Sequence, residues 1–393
     1  MAICSEVQPV VLIRSPSLLQ AFNTHPKYKG RADLVLSLIS AYDLDKKLRV
    51  VAPQKTEWRD LLTFHSQAYI DFIRSHGNSE DDELSPSQLE EADMYGLNYD
   101  CPLFEGLPHF VLGTAASSLT AAEVVVQSGG VALNWYGGWH HAHRDEASGF
   151  CYVNDIVLCL LKLLDHYERV LYVDMDIHHG DGVEEAFYHS SRVMTVSFHK
   201  HAPGFFPGKC PSPVTFNNLS FIGSGDMASI GSGPGQFFTV NVPLKDGLTD
   251  RTFHKVFTRV LSDVKSCFQP SAVVLQCGAD MLSGDPVGTF SLTPHGMSDN
   301  VDYVLAWKLP TVLLGGGGYN FPNTAKFWAI CTGLATGQKL INEIPEHSHY
   351  EHYSPDFELL VTTRNRPDDN TSEYIDELLE TISGNFSNIY ESS

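Results

Sequence analysis

With 393 residues, 43% of them hydrophobic and 19% charged, the chain has the length of roughly two to three small domains or one large α/β domain. That composition belongs to a folded globule and excludes global disorder. Its 47 Asp and Glu against 26 Lys and Arg give a formal charge of −21 at pH 7, which argues against direct nucleic-acid binding and for a basic peptide as partner.

In chain order, short apolar and β-branched runs read as strands: VVLI at Val10, VALNW at Val131, RVLYVD at Arg169, RVMTVSF at Arg192, FFTVNV at Phe237, AVVLQC at Ala272 and TVLLG at Thr311. Between them lie helical patterns, clearest at Phe253, Val256, Phe257, Val260, Leu261 and Val264, where apolar residues recur every three or four positions. Strands apolar on both faces, separated by crossover-length segments, predict an α/β fold with a mostly parallel central sheet and helices on both faces. One domain over residues 1–393 accommodates them.

Three segments interrupt the pattern. Residues 75–91 (SHGNSEDDELSPSQLEE) read as an acidic solvated loop, and residues 208–235, rich in Gly, Ser, Asn and Pro, as a long surface excursion. From Thr371, TSEYIDELLETI predicts a short amphipathic terminal helix. No uninterrupted apolar run approaches the roughly 18 residues of a membrane span, and residues 1–16 lack a secretory pattern, so no membrane association and an intracellular location are expected. The eight cysteines are scattered without CxxC pairs, which predicts free buried thiols and neither a disulfide framework nor a thiolate zinc site.

The densest chemistry lies in LYVDMDIHHGDG, from Leu171 to Gly182. In an extended chain alternate side chains share a face, so Asp174, Asp176 and His178 are expected to point one way at a strand end. A strand end before a glycine turn also bears Asp and His merely as caps. A second strand, AVVLQC, runs into Gly278, Ala279 and Asp280. Asp280 added to Asp176 and His178 makes an Asp2His set with an open position, the arrangement of a catalytic metal. Two carboxylates neutralise much of a divalent charge, so bound water is acidified less than at a three-histidine site and a separate base is needed. GGWHHAHRDEASGF supplies His140 and His141 after a strand and a double glycine, with Asp174 and Asp181 available to orient their rings. TVLLGGGGYN carries neither GKS nor GxGxxG, which argues against nucleotide binding; its glycines permit close approach to a ligand, and the Tyr319 hydroxyl can donate to a developing oxyanion.

Taken in order, NYDCP at Asn98, GGWHHA at Gly137, EASGFCYVND at Glu146, DMDIHHGDG at Asp174, APGFFPG at Ala202, GADMLSGDP at Gly278 and LGGGGYN at Leu314 resemble the class I histone deacetylases, with GGWHH and PGFFPG favouring the type-8 branch. The resemblance implies the arginase/deacetylase fold and zinc-dependent hydrolysis of N6-acetyl-lysine in histone tails or other proteins. It implies zinc on Asp176, His178 and Asp280, with ferrous iron the alternative. His141 would be general base and then acid, His140 an electrostatic aid, and Tyr319 the group that polarises the acetyl carbonyl. Phe150 and Phe206 would wall the substrate channel, Gly149 would lie beside the substrate stem, and Asp100 would hold the substrate backbone. It further implies potassium at Asp174, Asp176, His178, Ser197 and Phe198, and at Phe187, Ser190, Val193 and Phe238, together with a chromatin role in the nucleus or cytoplasm. The sequence departs from the family in the length of residues 208–235 and in Val287, where a larger Met or Leu is usual. Gly180 and Leu282 stand where a two-metal hydrolase of this fold would need carboxylates, so one metal is expected.

Overall fold

The computed structural model describes residues 10–79, 81–208, 224–363 and 366–392. Among these, eight strands make one sheet: β1 (Val10–Ile13), β2 (Arg49–Val51), β3 (Val131–Asn134), β4 (Val170–Asp174), β5 (Val193–Lys200), β6 (Thr239–Leu244), β7 (Ala272–Gln276) and β8 (Thr311–Leu314). Their order is β2-β1-β3-β8-β7-β4-β5-β6 and every pairing is parallel. The sequence pattern misses only β2, a three-residue edge strand whose Arg49 and Val50 are exposed. An edge strand this short and this wet carries no apolar run to read.

The central strands are buried on both faces, and alternate residues belong to different cores. Leu171, Val173, Val273, Leu275 and Leu313 face one core, while Val170, Tyr172, Ala272, Val274 and Val312 face the other. The first core is covered by helices that include Arg31–Ala41, Asp250–Phe268, Pro294–Leu305 and Phe321–Ala335. The second is covered by Asp155–Leu164 and Asp181–Phe187. Such two-sided cover is what continuous apolar strands require. In the Asp250–Phe268 helix all six residues of the anticipated stripe are buried, and Thr249 caps its start by accepting from the Thr252 N–H.

Several expectations change. Within 75–91, residues from Pro86 onward begin a helix, Pro86–Met94, rather than continue a loop. Ser85 and Gln88 form a reciprocal capping box with Pro86 at the first helical position, a signal present in SPSQ. The terminal helix is longer than anticipated, Ser372–Ser392, and buries Ile375, Leu378, Ile382, Phe386 and Ile389. Most of the 208–235 excursion, with Cys210, lies outside the described residues, as does Cys4; the other six cysteines are free and buried. The Leu107–Ser128 helix is long and apolar enough to cross a membrane by length and composition. Its Phe110, Val111, Ala121 and Val125 are instead buried within the two cores.

Parallel register brings four strand ends to one level. Asn134 of β3 pairs with Leu314 of β8, Leu314 with Gln276 of β7, and Gln276 with Asp174 of β4. The loops leaving these neighbours are those that carry His140 and His141, Tyr319, Asp280, and Asp176 with His178. Chain order skips from β3 to β4 across β8 and β7, and such a crevice at the carboxyl ends is where open α/β sheets bind ligands.

Candidate active site

Asp176, His178 and Asp280 offer three ligand atoms that lie within 4.8 Å of one another, the one such set of His, Cys, Asp or Glu among the described residues. His178 Nδ1 is 3.0 Å from Asp176 Oδ1 and 3.1 Å from Asp280 Oδ2. β4 ends at Asp174, so alternation stops there. The Asp174 carboxylate turns instead to His140 Nδ1, at 2.7 Å, and accepts from the Tyr172 hydroxyl and the Asp176 N–H.

The electrostatics of the triad call for a cation. Burial opposes charge on Asp176, yet His140 and His178 hold its carboxyl well below the usual range. Burial and then the Asp176 charge push Asp280 up to about 8. Burial would lower His178, but the two carboxylates raise it to about 10. Two buried carboxylates beside one imidazole are a donor set that suits zinc. Backbone closes in behind them. A Cβ on Gly317 would stand 2.2 Å from Asp280 Oδ2, and the Gly317 N–H donates to Asp176 Oδ2 at 2.8 Å.

The two adjacent histidines have different environments. Both are buried, at 3% and 4% exposure. Burial would lower His140, but Asp174 and Asp176 raise it to about 9. Burial and the neighbouring His140 charge lower His141 to about 4, against Asp181, whose Oδ1 lies 2.8 Å from His141 Nδ1. His141 is therefore neutral near pH 7. With Nδ1 turned to a carboxylate, its Nε2 carries the lone pair.

Tyr319 follows the glycine run after β8. Asp285 accepts from the Tyr319 N–H at 2.7 Å and the Asn320 N–H at 3.1 Å, anchoring the turn into the Phe321–Ala335 helix. Burial, the Tyr28 phenol and the two ligand carboxylates hold the Tyr319 hydroxyl well above its ordinary value, so it stays a donor. One cavity is lined by His140, His141, Asp176, His178 and Tyr319, together with Tyr28, Trp139, Gly149, Cys151 and backbone of the glycine run.

Phe206 lies edge-on to His141, with ring centroids 4.8 Å apart, and Phe150 edge-on to Tyr319 at 6.0 Å. Gly149 fits between His141 and Phe206: at φ +52°, a Cβ there would be 2.5 Å from His141 Cδ2 and 2.8 Å from Phe206 Cε1. Asp100 is exposed on the turn at Asn98–Cys101, outside the buried cluster, beside Tyr99, which is 94% exposed. Val287 is also exposed.

Of the potassium candidates, Ser197 and Phe198 lie buried on β5 beside Asp174, with which Ser197 pairs. The Ser197 hydroxyl contacts His199 Nδ1 at 3.0 Å. Phe187, Ser190 and Val193 lie where the Asp181–Phe187 helix turns into β5, and the Phe238 carbonyl accepts from the Thr195 N–H.

Four residues at the site escape sequence reading. Gln276 donates to Asp176 Oδ2 at 2.9 Å while accepting from the Gly278 N–H. Its signal is an amide at the end of an otherwise apolar strand. Phe205 stacks on His178 with centroids 5.1 Å apart. Asp285 is the second acid of GADMLSGDP. Tyr28 comes from far upstream and carries no local signal.

The histone deacetylase domain family matches residues 25–335. The chain is 45% identical to histone deacetylase 8 of Danio rerio over 98% of this chain and 97% of that one. It is 46% identical to histone deacetylase 8 of Xenopus tropicalis over 93% and 94% of the two chains, and 42% identical to human histone deacetylase 1 over 91% and 70%. The near full-length identities to the two histone deacetylase 8 chains agree with the branch that GGWHH and PGFFPG favour. The chain belongs to the histone deacetylase family.

Proposed function

We propose that this chain is a zinc-dependent protein lysine deacetylase, one catalytic domain that hydrolyses N6-acetyl-lysine in histone tails and other proteins to lysine and acetate. The observation that carries the reading is the grouping of Asp176, His178 and Asp280 within 4.8 Å of one another, with Asp176 and His178 lining one cavity together with His141 and Tyr319. Asp176, His178 and Asp280 would hold zinc, which when bound supplies Lewis-acid polarisation of the acetyl carbonyl and of the attacking water. Ferrous iron accepts the same ligands and is the alternative.

His141 takes the proton of the attacking water at Nε2, and later delivers it to the departing lysine amine. Asp181 holds the ring by Nδ1, and His140, backed by Asp174, keeps positive charge beside the reacting centre. The Tyr319 hydroxyl donates to the acetyl oxygen as negative charge builds there. Phe150 and Phe206 flank the aliphatic stem, Gly149 leaves it room, and Asp100 accepts from the substrate backbone at the rim. Potassium would sit on the Asp174, Asp176, His178, Ser197 and Phe198 set and on the Phe187, Ser190, Val193 and Phe238 set as a structural ion. The net charge of −21 suits Lys-rich tails, in keeping with chromatin repression in the nucleus and with cytoplasmic substrates.

A metal-controlled assay tests the reading by comparing an acetyl-lysine peptide, longer acyl-lysine peptides and acetylspermidine. Zinc-dependent release of acetate from the acetyl peptide is expected to dominate. Preference for acetylspermidine would move the substrate class to polyamines, and hydrolysis unaffected by chelation would remove the metal from the reaction.

A further inference from the structure

Tyr28 lies just before the Arg31–Ala41 helix, about 290 residues from Tyr319 along the chain, yet its hydroxyl donates to the Tyr319 hydroxyl at 3.2 Å. The two rings are 5.7 Å apart, and Trp139 fixes the Tyr28 ring by an edge contact at 5.1 Å. Tyr28 is 5% exposed and lines the same cavity as Tyr319, Asp176 and His178. The Arg31 guanidinium lies 4.2 Å from the centre of the Tyr28 ring. Arg31 also donates to the carbonyls of Gly316 and Gly318, at 2.9 and 3.2 Å, tying the start of its helix to the glycine run that carries Tyr319.

The direction of this bond matters. A hydroxyl that accepts from one side keeps its own proton for the other, and acceptance polarises that proton. With Tyr28 as donor, the Tyr319 proton remains available to the acetyl oxygen. Burial raises the Tyr28 phenol, so it stays protonated, while the cation over its face strengthens it as a donor. At 3.2 Å the bond is longer than the usual O–H···O, as is common for catalytic bonds before the transition state draws them in. A phenol needing only a partner for burial could take a backbone carbonyl; here it takes the one hydroxyl with a proposed part in the reaction.

We infer that Tyr28 is a positioning residue, one that holds the Tyr319 hydroxyl by donating to its oxygen and so aims the Tyr319 proton at the acetyl oxygen. The inference rests on the deacetylase reading of Tyr319.

The test is a double-mutant cycle on the full-length, zinc-loaded protein with Tyr28→Phe, Tyr319→Phe and the double variant. kcat, KM, zinc per chain, unfolding midpoint and calorimetric affinity for acetohydroxamate, an acetyl-bearing chelator, are measured for each. Tyr28→Phe is expected to lower kcat roughly three- to tenfold, the range of one hydrogen bond, at unchanged KM, zinc content and midpoint. It is expected to weaken acetohydroxamate binding, and to do neither when Tyr319 is already Phe. Wild-type kcat in Tyr28→Phe, an equal loss in both backgrounds, or a loss accompanied by lower zinc content or an earlier melt would each overturn the inference. Wild-type turnover in Tyr319→Phe would instead remove the oxyanion reading itself. A slow Tyr319→Phe beside a fully active Tyr28→Phe sinks only the role given to Tyr28.

Discussion

His141 and Asp181 meet through Nδ1 and Oδ1 at 2.8 Å, a contact that fixes which imidazole nitrogen is free to take a proton. Asp181 accepts on that oxygen from the Gly182 N–H as well, so the carboxylate is itself held in place. An amide in its place can donate to Nδ1 and favour the opposite tautomer, leaving the base protonated at the nitrogen that should be empty. Asp181→Asn is therefore expected to lower kcat on the order of 10²-fold or more, and His141→Ala to lower it by about 10²- to 10⁴-fold. Zinc content should stay at the wild-type level in both, because neither residue belongs to the ligand set. Rate assays paired with elemental analysis check this, and undiminished turnover in His141→Ala would end its assignment as the base.

Removing metal should expose the cost of the ligand set. Asp280 is pushed up to about 8 by burial and by the Asp176 charge, so the metal-free site takes up protons as pH falls. Zinc must displace those protons, and its apparent affinity should weaken as pH drops from about 8 towards 6. Chelated protein is expected to be inactive and to melt earlier, with zinc restoring both. Binding stabilises by about 2.7 kcal/mol when free zinc reaches 100 times its Kd. Zinc titrations of the melting midpoint at both pH values check the sign; a midpoint indifferent to zinc would contradict the site.

Much of this arrangement is legible in the sequence because strands buried on both faces are continuous apolar runs, and four of them end in the motifs that bear the chemistry. Asp176, His178 and Asp280 can be paired on paper since ligands at parallel strand ends converge. What local patterns do not reveal is alignment between distant segments. Gln276 looks like one polar residue on a strand, and its contact with Asp176 depends on the register of β7 against β4. Tyr28 reaches Tyr319 only through the packing of the Arg31–Ala41 helix against the Phe321–Ala335 helix. The Pro86–Met94 helix is a different kind of miss, since the acids around it read as solvated loop.

His143 gives a pH-dependent signal away from the candidate metal ligands. Its Nδ1 lies 2.5 Å from Glu185 Oε2 and its Nε2 3.6 Å from Asp181 Oδ2. The nearby Asp181 carboxylate outweighs partial burial, and with Glu185 raises His143 to about 9. A folded-state value above the ordinary 6.5 means that the stabilisation is fully present below pH 6.5 and fades as pH climbs through about 9. The melting difference between wild type and His143→Ala should therefore be largest at pH 6 and shrink by pH 9.5. Parallel melting curves across this range check it, and a difference that grows with pH would contradict the pairing.

Two glycines separate backbone strain from crowding at the channel. Gly149 and Gly204 both adopt left-handed φ, at +52° and +75°, so alanine at either is strained by about 1–2 kcal/mol. Around Gly204 a Cβ would meet nothing within 4 Å, whereas at Gly149 it would press on His141 Cδ2 and Phe206 Cε1 at 2.5 and 2.8 Å. Gly204→Ala should accordingly lose some stability and keep its kcat/KM. Gly149→Ala should lose similar stability and, in addition, most of its kcat/KM, because the intruding methyl displaces His141 and Phe206, the proposed base and channel wall. Melting curves and steady-state rates on both variants decide the matter, since equal activity in the two would mean that nothing passes between His141 and Phe206.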